Sequence, residues 1–149
     1  MAITVSWVDD EQTVLLMNFQ GEWNNDELRS TGVQAILMVR STNHPVYVLS
    51  DYTASETAPL GVLMQARDLS AMRPANWAGG VTITQDLFLK GLLEVFVHIY
   101  MLRHHQRNQY VADTYAEALE LVARLKKENR VSGHTNTKQG VENVGFQIA

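Results

Sequence analysis

Apolar and polar residues alternate in several short stretches of the chain, and this period-two pattern predicts strands. The predicted strands are residues 3–7, 13–20, 46–49, 81–84 and 110–112. A short polar turn joins the first two, so we expect them to form an antiparallel hairpin. Because Asn18, Thr82 and Thr84 alternate with apolar neighbours, we expect them on the sheet face that lies away from most helices.

Helical patterns separate most of these strands, and residues that favour helix starts precede them. Asn24, Asp86 and Thr114 each carry a side-chain oxygen that can accept a hydrogen bond from the first helical turn. Pro59 suits the first position of a helix because its missing N–H would have no partner there. The element order is therefore ββαβαβαβα. This order predicts an α/β fold with a mixed, mostly parallel five-stranded sheet and helices mainly on one face.

The segment 87–102 is apolar around almost its whole circumference. It is shorter than a membrane span and contains charged residues, so we predict no membrane insertion. A helix of this kind must be covered on more than its sheet-facing side. Neighbouring helices, another subunit or an apolar ligand would each provide that cover, and the sequence leaves these alternatives open.

Composition and charge narrow the classes of function. The chain has 149 residues, a net charge of −4 and no cysteine, which predicts one globular domain without disulfides or thiolate chemistry. The acidic balance argues against nucleic acid as a partner. The start of the chain lacks the pattern of a secretory signal, so we expect a cytoplasmic protein.

Candidate chemical groups have simpler explanations than catalysis or metal binding. His98, His104 and His105 lie near one end of the long helix without a further ligand at metal-binding spacing. Ser50 and Asp51 end a strand, but they lack the flanking glycines of a nucleophile elbow. We therefore predict no catalytic residue, no metal site and no cofactor.

The end of the chain has an unusual pattern. Residues 129–140 are polar, which is typical of a linker. Beyond them, Val144, Phe146 and Ile148 alternate with polar or small residues as in a strand. We predict that residues 141–149 form a strand-like tail that pairs with a sheet edge, its own or that of a second copy. A homo-oligomer is therefore expected.

The element order over residues 1–128, wound as a one-sided βα superhelix, resembles the STAS domain, the fold of SpoIIAA-like anti-anti-sigma factors. Three short phrases add to the resemblance: residues 21–23 (Gly-Glu-Trp), 44–48 (His-Pro-Val-Tyr-Val) and 111–118 (Val-Ala-Asp-Thr-Tyr-Ala-Glu-Ala). The resemblance implies a bacterial regulatory domain that acts through protein–protein contact and is not an enzyme.

In that family, an acidic residue and a phosphorylated serine stand at the start of the second helix. In this sequence, Glu56 keeps the acidic residue, but Ala58 occupies the phosphoacceptor position and has no hydroxyl. Thr57 is the nearest hydroxyl. The resemblance thus implies a partner-binding surface without the usual phosphoacceptor, and its residues are Asp51, Ser55, Glu56, Thr57 and Ala58.

Three functions follow, in order of preference. The first is a non-catalytic STAS-like module that binds a protein partner. The second is a self-assembling structural subunit that uses the apolar helix 87–102 and the C-terminal strand. The third is a carrier of a small apolar ligand.

Overall fold

The computed structural model describes residues 2–56, 71–104 and 108–129. The elements in chain order are β1 (Ile3–Trp7), β2 (Val14–Gly21), α1 (Asn25–Arg40), β3 (Val46–Ser55), β4 (Trp77–Ile83), α2 (Leu87–His104), β5 (Gln109–Ala112) and α3 (115–129). The chain divides into two compact units, residues 1–118 and 119–149. The sheet, α1 and α2 belong to the first unit, and residues 119–129 of the second are helical.

Several predicted segments lie outside the described residues. They are the helix that begins at Pro59, the linker beyond residue 129, and the tail 141–149 with Val144, Phe146 and Ile148. Residue 129 itself is helical. The tail pairing and the homo-oligomer therefore stay predictions.

The five strands lie in the sheet in the same order as in the chain. β1 pairs antiparallel with β2, and the remaining neighbours pair in parallel. In the hairpin turn, Asp9 Oδ1 accepts hydrogen bonds from the backbone N–H groups of Thr13 (2.9 Å) and Val14 (3.0 Å). The predicted α/β class, the antiparallel hairpin and the mixed five-stranded sheet are confirmed.

Helix α1 begins as predicted. Asn24 has extended backbone angles, and its side-chain oxygen accepts a hydrogen bond from the backbone N–H of Glu27 at 2.8 Å. The apolar face of the helix packs on one face of the sheet. The buried cluster that results consists of Ile3, Leu15, Met17, Phe19, Trp23, Leu28, Ala35, Val39, Val46 and Val48.

One polar residue fastens the end of α1 to the start of β4. The side-chain nitrogen of Asn76 donates to the backbone oxygens of Val39 (2.8 Å) and His44 (3.1 Å), and Val46 N–H donates to the Asn76 backbone oxygen (2.8 Å). Asn76 thus adds a donor to the Val39 carbonyl in the last turn of α1, which also accepts from Thr42, and it ties the loop at His44 to the start of β4.

The expected polar face of the sheet is absent from its central strands. Asn18 pairs with Asp51, whereas Thr82 pairs with Ser50, so Asn18 and Thr82 lie on opposite faces. Thr82 and Thr84 are buried, with 9% and 3% exposure. The prediction for the two threonines is wrong because alternation reports polarity, and a threonine can be buried when its hydroxyl is hydrogen-bonded.

The apolar first half of strand β3 is also buried on both faces of the sheet. Residues 46–49 are all buried, although successive side chains point to opposite faces of the sheet. Only at the edge strand β1, within the described sheet, does a clear polar row stay exposed, at Thr4 and Ser6. Burial on both faces is the usual condition of parallel strands, and it corrects the expectation that one face stays wet.

The last described helix, α3, begins as the sequence indicates. Thr114 Oγ1 accepts a hydrogen bond from the backbone N–H of Glu117 at 3.2 Å, and the Glu117 carboxylate accepts one from the Asp113 N–H at 3.1 Å. Ala118 is buried as predicted, whereas Tyr115 is exposed. The helical spacing places Tyr115 and Ala118 on one apolar side of α3 and predicts that both point inward, and this prediction is wrong for Tyr115.

Candidate functional site

Strand β3 is longer than its apolar pattern indicates, and this extension forms one side of the candidate site. A register shift after Asn18 lets β2 continue alongside it, so that Gly21 pairs with Ser55. Glu56 N–H then donates to the Gly21 backbone oxygen at 2.8 Å. Gly21 has φ +62°, a value that glycine adopts without steric cost. The polar stretch predicted as a loop is therefore strand up to Ser55.

The sequence-predicted partner-binding residues are thus partly placed. Asp51 and Ser55 lie on the carboxyl-terminal half of β3, and Glu56 follows it and is exposed. Asp51 Oδ1 accepts hydrogen bonds from the N–H (3.0 Å) and the hydroxyl (2.7 Å) of Thr53, so its carboxylate is bound to the backbone of its own strand. Thr57 and Ala58 lie outside the described residues.

A cluster of three aromatic side chains packs against the carboxyl-terminal end of β3. The rings of Phe19 and Tyr52 stack with centroids 4.2 Å apart, and Trp23 packs against Phe19 at 5.3 Å. Trp23 Nε1–H donates to the Ser55 hydroxyl at 2.8 Å, which holds the last residue of the strand in place. Burial raises the pKa of the Tyr52 phenol well above its ordinary value, so this side chain is neutral at physiological pH.

The start of α2 forms the other side. Asp86 Oδ1 accepts hydrogen bonds from the backbone N–H groups of Phe88 (2.9 Å) and Leu89 (3.1 Å), which confirms its predicted role as helix cap. The Asp86 N–H in turn donates to Thr84 Oγ1 at 3.1 Å. This chain of bonds fixes the turn that leads from β4 into α2.

Between these two sides lies a cleft of about 270 Å³. It is lined by Tyr52, Thr53, Ser55, Thr84, Gln85, Asp86 and Leu89. The cleft thus stands at the carboxyl ends of β3 and β4, the edge where parallel sheets of α/β proteins commonly bind ligands. Its lining combines hydroxyl groups and an amide with one leucine and one aromatic ring.

The charges around the cleft are negative. Asp86 lies in its lining, and Asp51 and Glu56 flank the lining residues of β3. Lys90, one helical turn beyond Asp86, forms an ion pair with Asp113. An anionic ligand would meet the Asp86 carboxylate in the lining, with Asp51 and Glu56 next to lining residues in the sequence, and the described lining residues include no lysine or arginine.

Helix α2 also presents an apolar surface to solvent beside the cleft. Leu89 and Val97 are buried, but Leu87, Phe88 and Val95 have exposures of 81%, 60% and 60%. We call these last three residues the α2 apolar face. Gly91 lies between Phe88 and Val95 on the same side of the helix, and a Cβ atom built on it has no neighbour within 4 Å. The cover that the sequence predicts for this helix is therefore incomplete in the described chain.

The sequence does not predict several lining residues as members of a site, namely Tyr52, Thr53, Thr84, Gln85 and Leu89. The sequence does give a weak indication of one side of the cleft, since Thr84 and Gln85 stand between a predicted strand and the helix cap Asp86. The side formed by β3 could not be found in this way, because the strand was predicted to end at residue 49.

Two other kinds of feature, a metal-binding cluster and a membrane-spanning helix, are absent from the described ranges. Residues 2–56, 71–104 and 108–129 contain no group of three or more histidine, aspartate or glutamate side chains able to hold a metal ion. None of the described helices combines the length and apolar character needed to cross a membrane. Comparisons of the chain with protein-family models, curated proteins and solved structures gave no match. The resemblance to STAS domains therefore stays a prediction.

Proposed function

We propose that this protein is a non-catalytic, STAS-like interaction module that binds a protein partner at the α2 apolar face and the adjoining acidic end of β3. The observation that carries the proposal is the exposure of Leu87, Phe88 and Val95 on one side of α2. Clusters of exposed apolar side chains on folded domains mark sites of protein contact.

The energy available at this surface supports specific binding. Complete burial of one leucine, phenylalanine or valine side chain contributes about 1.5–3 kcal/mol. Three such residues thus offer several kcal/mol against the loss of translational and rotational freedom on association. Phe88 is the largest of the three, and we expect it to dominate the binding energy.

The charges near the apolar face define the chemistry of the partner. Asp51 lies in the second half of β3, Glu56 follows that strand, and Asp86 directly precedes α2. We infer that acidic residues surround the N-terminal end of the apolar face. We therefore expect a partner surface with apolar residues beside lysine or arginine. Such complementarity raises the association rate and makes it depend on ionic strength.

The same surface also supports the second candidate function, self-assembly. Gly91 lies at the middle of the exposed side with open space above it, so two α2 helices can approach each other closely. An antiparallel pair that crosses at Gly91 brings Leu87 of one copy opposite Val95 of the other. This is the self-complementary arrangement that a two-fold dimer needs.

The experiment compares wild-type protein with Phe88→Asp and with Leu37→Asp. Leu37 is a matched control because it is a 59% exposed apolar residue on a different helix, α1. A partner captured from the native host would be purified and its affinity measured by calorimetry at two salt concentrations. We expect Phe88→Asp to weaken binding at least about tenfold and Leu37→Asp to leave it unchanged.

Light scattering of the same three proteins separates the two candidates. A dimer that Phe88→Asp dissociates would show that the partner is a second copy of the chain. Binding that withstands Phe88→Asp, in a variant with unchanged unfolding free energy, would refute the proposed surface. Affinity independent of salt would refute the part assigned to Asp51 and Glu56.

A further inference from the structure

We propose that the cleft between β3 and the start of α2 binds an uncharged polyhydroxy compound about the size of one hexose ring. The inference rests on the cleft's lining and does not depend on the proposed protein partner. It adds a small-molecule site beside the surface assigned to that partner.

Two hydroxyl groups of the lining have a proton that meets no acceptor within the part of the chain that the structure describes. Ser55 Oγ already accepts the Trp23 indole N–H, and Thr84 Oγ1 already accepts the Asp86 backbone N–H. A hydroxyl group has one donor besides its acceptor lone pairs, and no acceptor for either proton is found among the described residues. Thr84 is only 3% exposed, so bulk solvent has little access to it.

A buried hydroxyl without an acceptor costs free energy that a ligand oxygen can recover. Ser55 and Thr84 stand on opposite sides of the cleft, one on β3 and one just after β4. Gln85 and Asp86 add an amide and a carboxylate oxygen to the same lining. A ligand with several hydroxyl groups both accepts from the two donors and donates to these oxygens.

The volume of the cleft limits the size of the ligand, and its apolar side chains favour a ring with C–H faces. A cavity of about 270 Å³ is smaller than the ~300–1,000 Å³ that drug-sized ligands occupy, and it therefore suits a single ring. Leu89 and the ring of Tyr52 supply apolar surface to the lining. The C–H faces of a sugar or cyclitol ring can pack against such groups.

The charges favour a neutral ligand. Asp51, Glu56 and Asp86 repel an anion. Asp86 attracts a cation only weakly, because its carboxylate accepts two backbone N–H groups at the positive end of α2. Tyr52 stays protonated, since burial raises its pKa, and it adds no charge.

The test is a titration of the full-length, ¹⁵N-labelled protein followed by NMR. Glucose and myo-inositol serve as neutral probes, and glucose 6-phosphate serves as their anionic counterpart. For ligands of this size we expect a dissociation constant on the order of millimolar, with saturable shifts of the amides of Thr53, Ser55, Gln85 and Leu89 for at least one neutral probe. The anionic probe should bind at least about tenfold more weakly.

Two variants and one control locate the binding. Thr84→Val keeps the shape of the side chain but removes the hydroxyl, and we expect it to weaken binding about tenfold. Thr4→Val is the matched control, because Thr4 is exposed on β1. Gln85→Ala, at an exposed position, should also weaken binding and keeps the test valid if Thr84→Val unfolds.

Three results would overturn the proposal. The first is the absence of saturable shifts with both neutral probes. The second is equal affinity for glucose and glucose 6-phosphate. The third is binding that Gln85→Ala leaves as strong as in Thr4→Val.

Discussion

Replacing Ser55 with alanine removes the acceptor of the Trp23 indole N–H, the bond that joins the end of β3 to the residues before α1. The two atoms are 2.8 Å apart, and Trp23 is 7% exposed. Removing one partner of a buried hydrogen bond costs about 1–3 kcal/mol, since the other partner keeps its desolvation cost without the bond. We therefore expect Ser55→Ala to lower the free energy of unfolding by about 1–3 kcal/mol.

Urea unfolding followed by tryptophan fluorescence measures this loss. With a denaturant dependence of about 1–3 kcal/mol per molar urea, the midpoint should fall by roughly 1 M. Ser6→Ala is the matched control, because Ser6 is exposed on the edge strand β1, and it should change the midpoint little. The pair of variants separates the loss of this bond from the general effect of alanine in a strand.

A double-mutant cycle tests the assignment directly. Trp23→Phe loses the indole N–H together with part of the core volume, so its own cost is larger. If the bond couples the two residues, the double variant should cost less than the sum of the single variants by about 1–2 kcal/mol. Additive costs, or a Ser55→Ala midpoint equal to that of Ser6→Ala, would refute the reasoning.

Two further predictions concern other parts of the fold. Because burial raises the Tyr52 pKa above the unfolded value of 10.0, the unfolded chain loses the proton first, so the stability falls as pH rises above about 10. Unfolding free energies measured at pH 8 to 11 should show this fall in wild type and in the exposed-site control Tyr115→Phe, but less of it in Tyr52→Phe; three parallel curves would contradict it. Asn76→Ala should lower the unfolding free energy by about 0.5–1.5 kcal/mol, because the side-chain bonds to the Val39 and His44 carbonyl oxygens are lost while Thr42 still donates to both oxygens. Asn43→Ala, an exposed change in the loop that Asn76 contacts, should cost less than about 0.5 kcal/mol, and equal urea midpoints for the two variants would show that the Asn76 bonds add no stability.

Local chemistry made part of the fold predictable from sequence. The caps at Asn24, Asp86 and Thr114 depend on residues a few positions apart, and the structure has all three hydrogen bonds. The hairpin followed from alternation on both sides of a short polar turn. Such features need no knowledge of distant contacts.

The features of the fold and of the cleft that the sequence did not predict depend on contacts between residues that are far apart in the chain. The end of β3 at Ser55 requires its pairing with Gly21. The burial of Thr82 together with Val81 and Ile83 requires cover on both sheet faces. For the same reason, only Asp86 among the residues of the cleft had been assigned a role that the structure confirms. A pattern along one strand cannot report what lies across from it.

The strands have the same order in the chain and in the sheet, and this has a consequence for how the protein folds during its synthesis. Each strand from β2 to β5 adds beside the strand that precedes it in sequence, so among the described strands none is inserted later between existing neighbours. The hairpin of β1 and β2 is closed by a short turn and is complete before any parallel pairing is needed. On the ribosome, the sheet can therefore grow outward from its N-terminal edge while synthesis continues. Pairing between successive strands keeps loop closures short, which favours rapid folding over slow searches for distant partners.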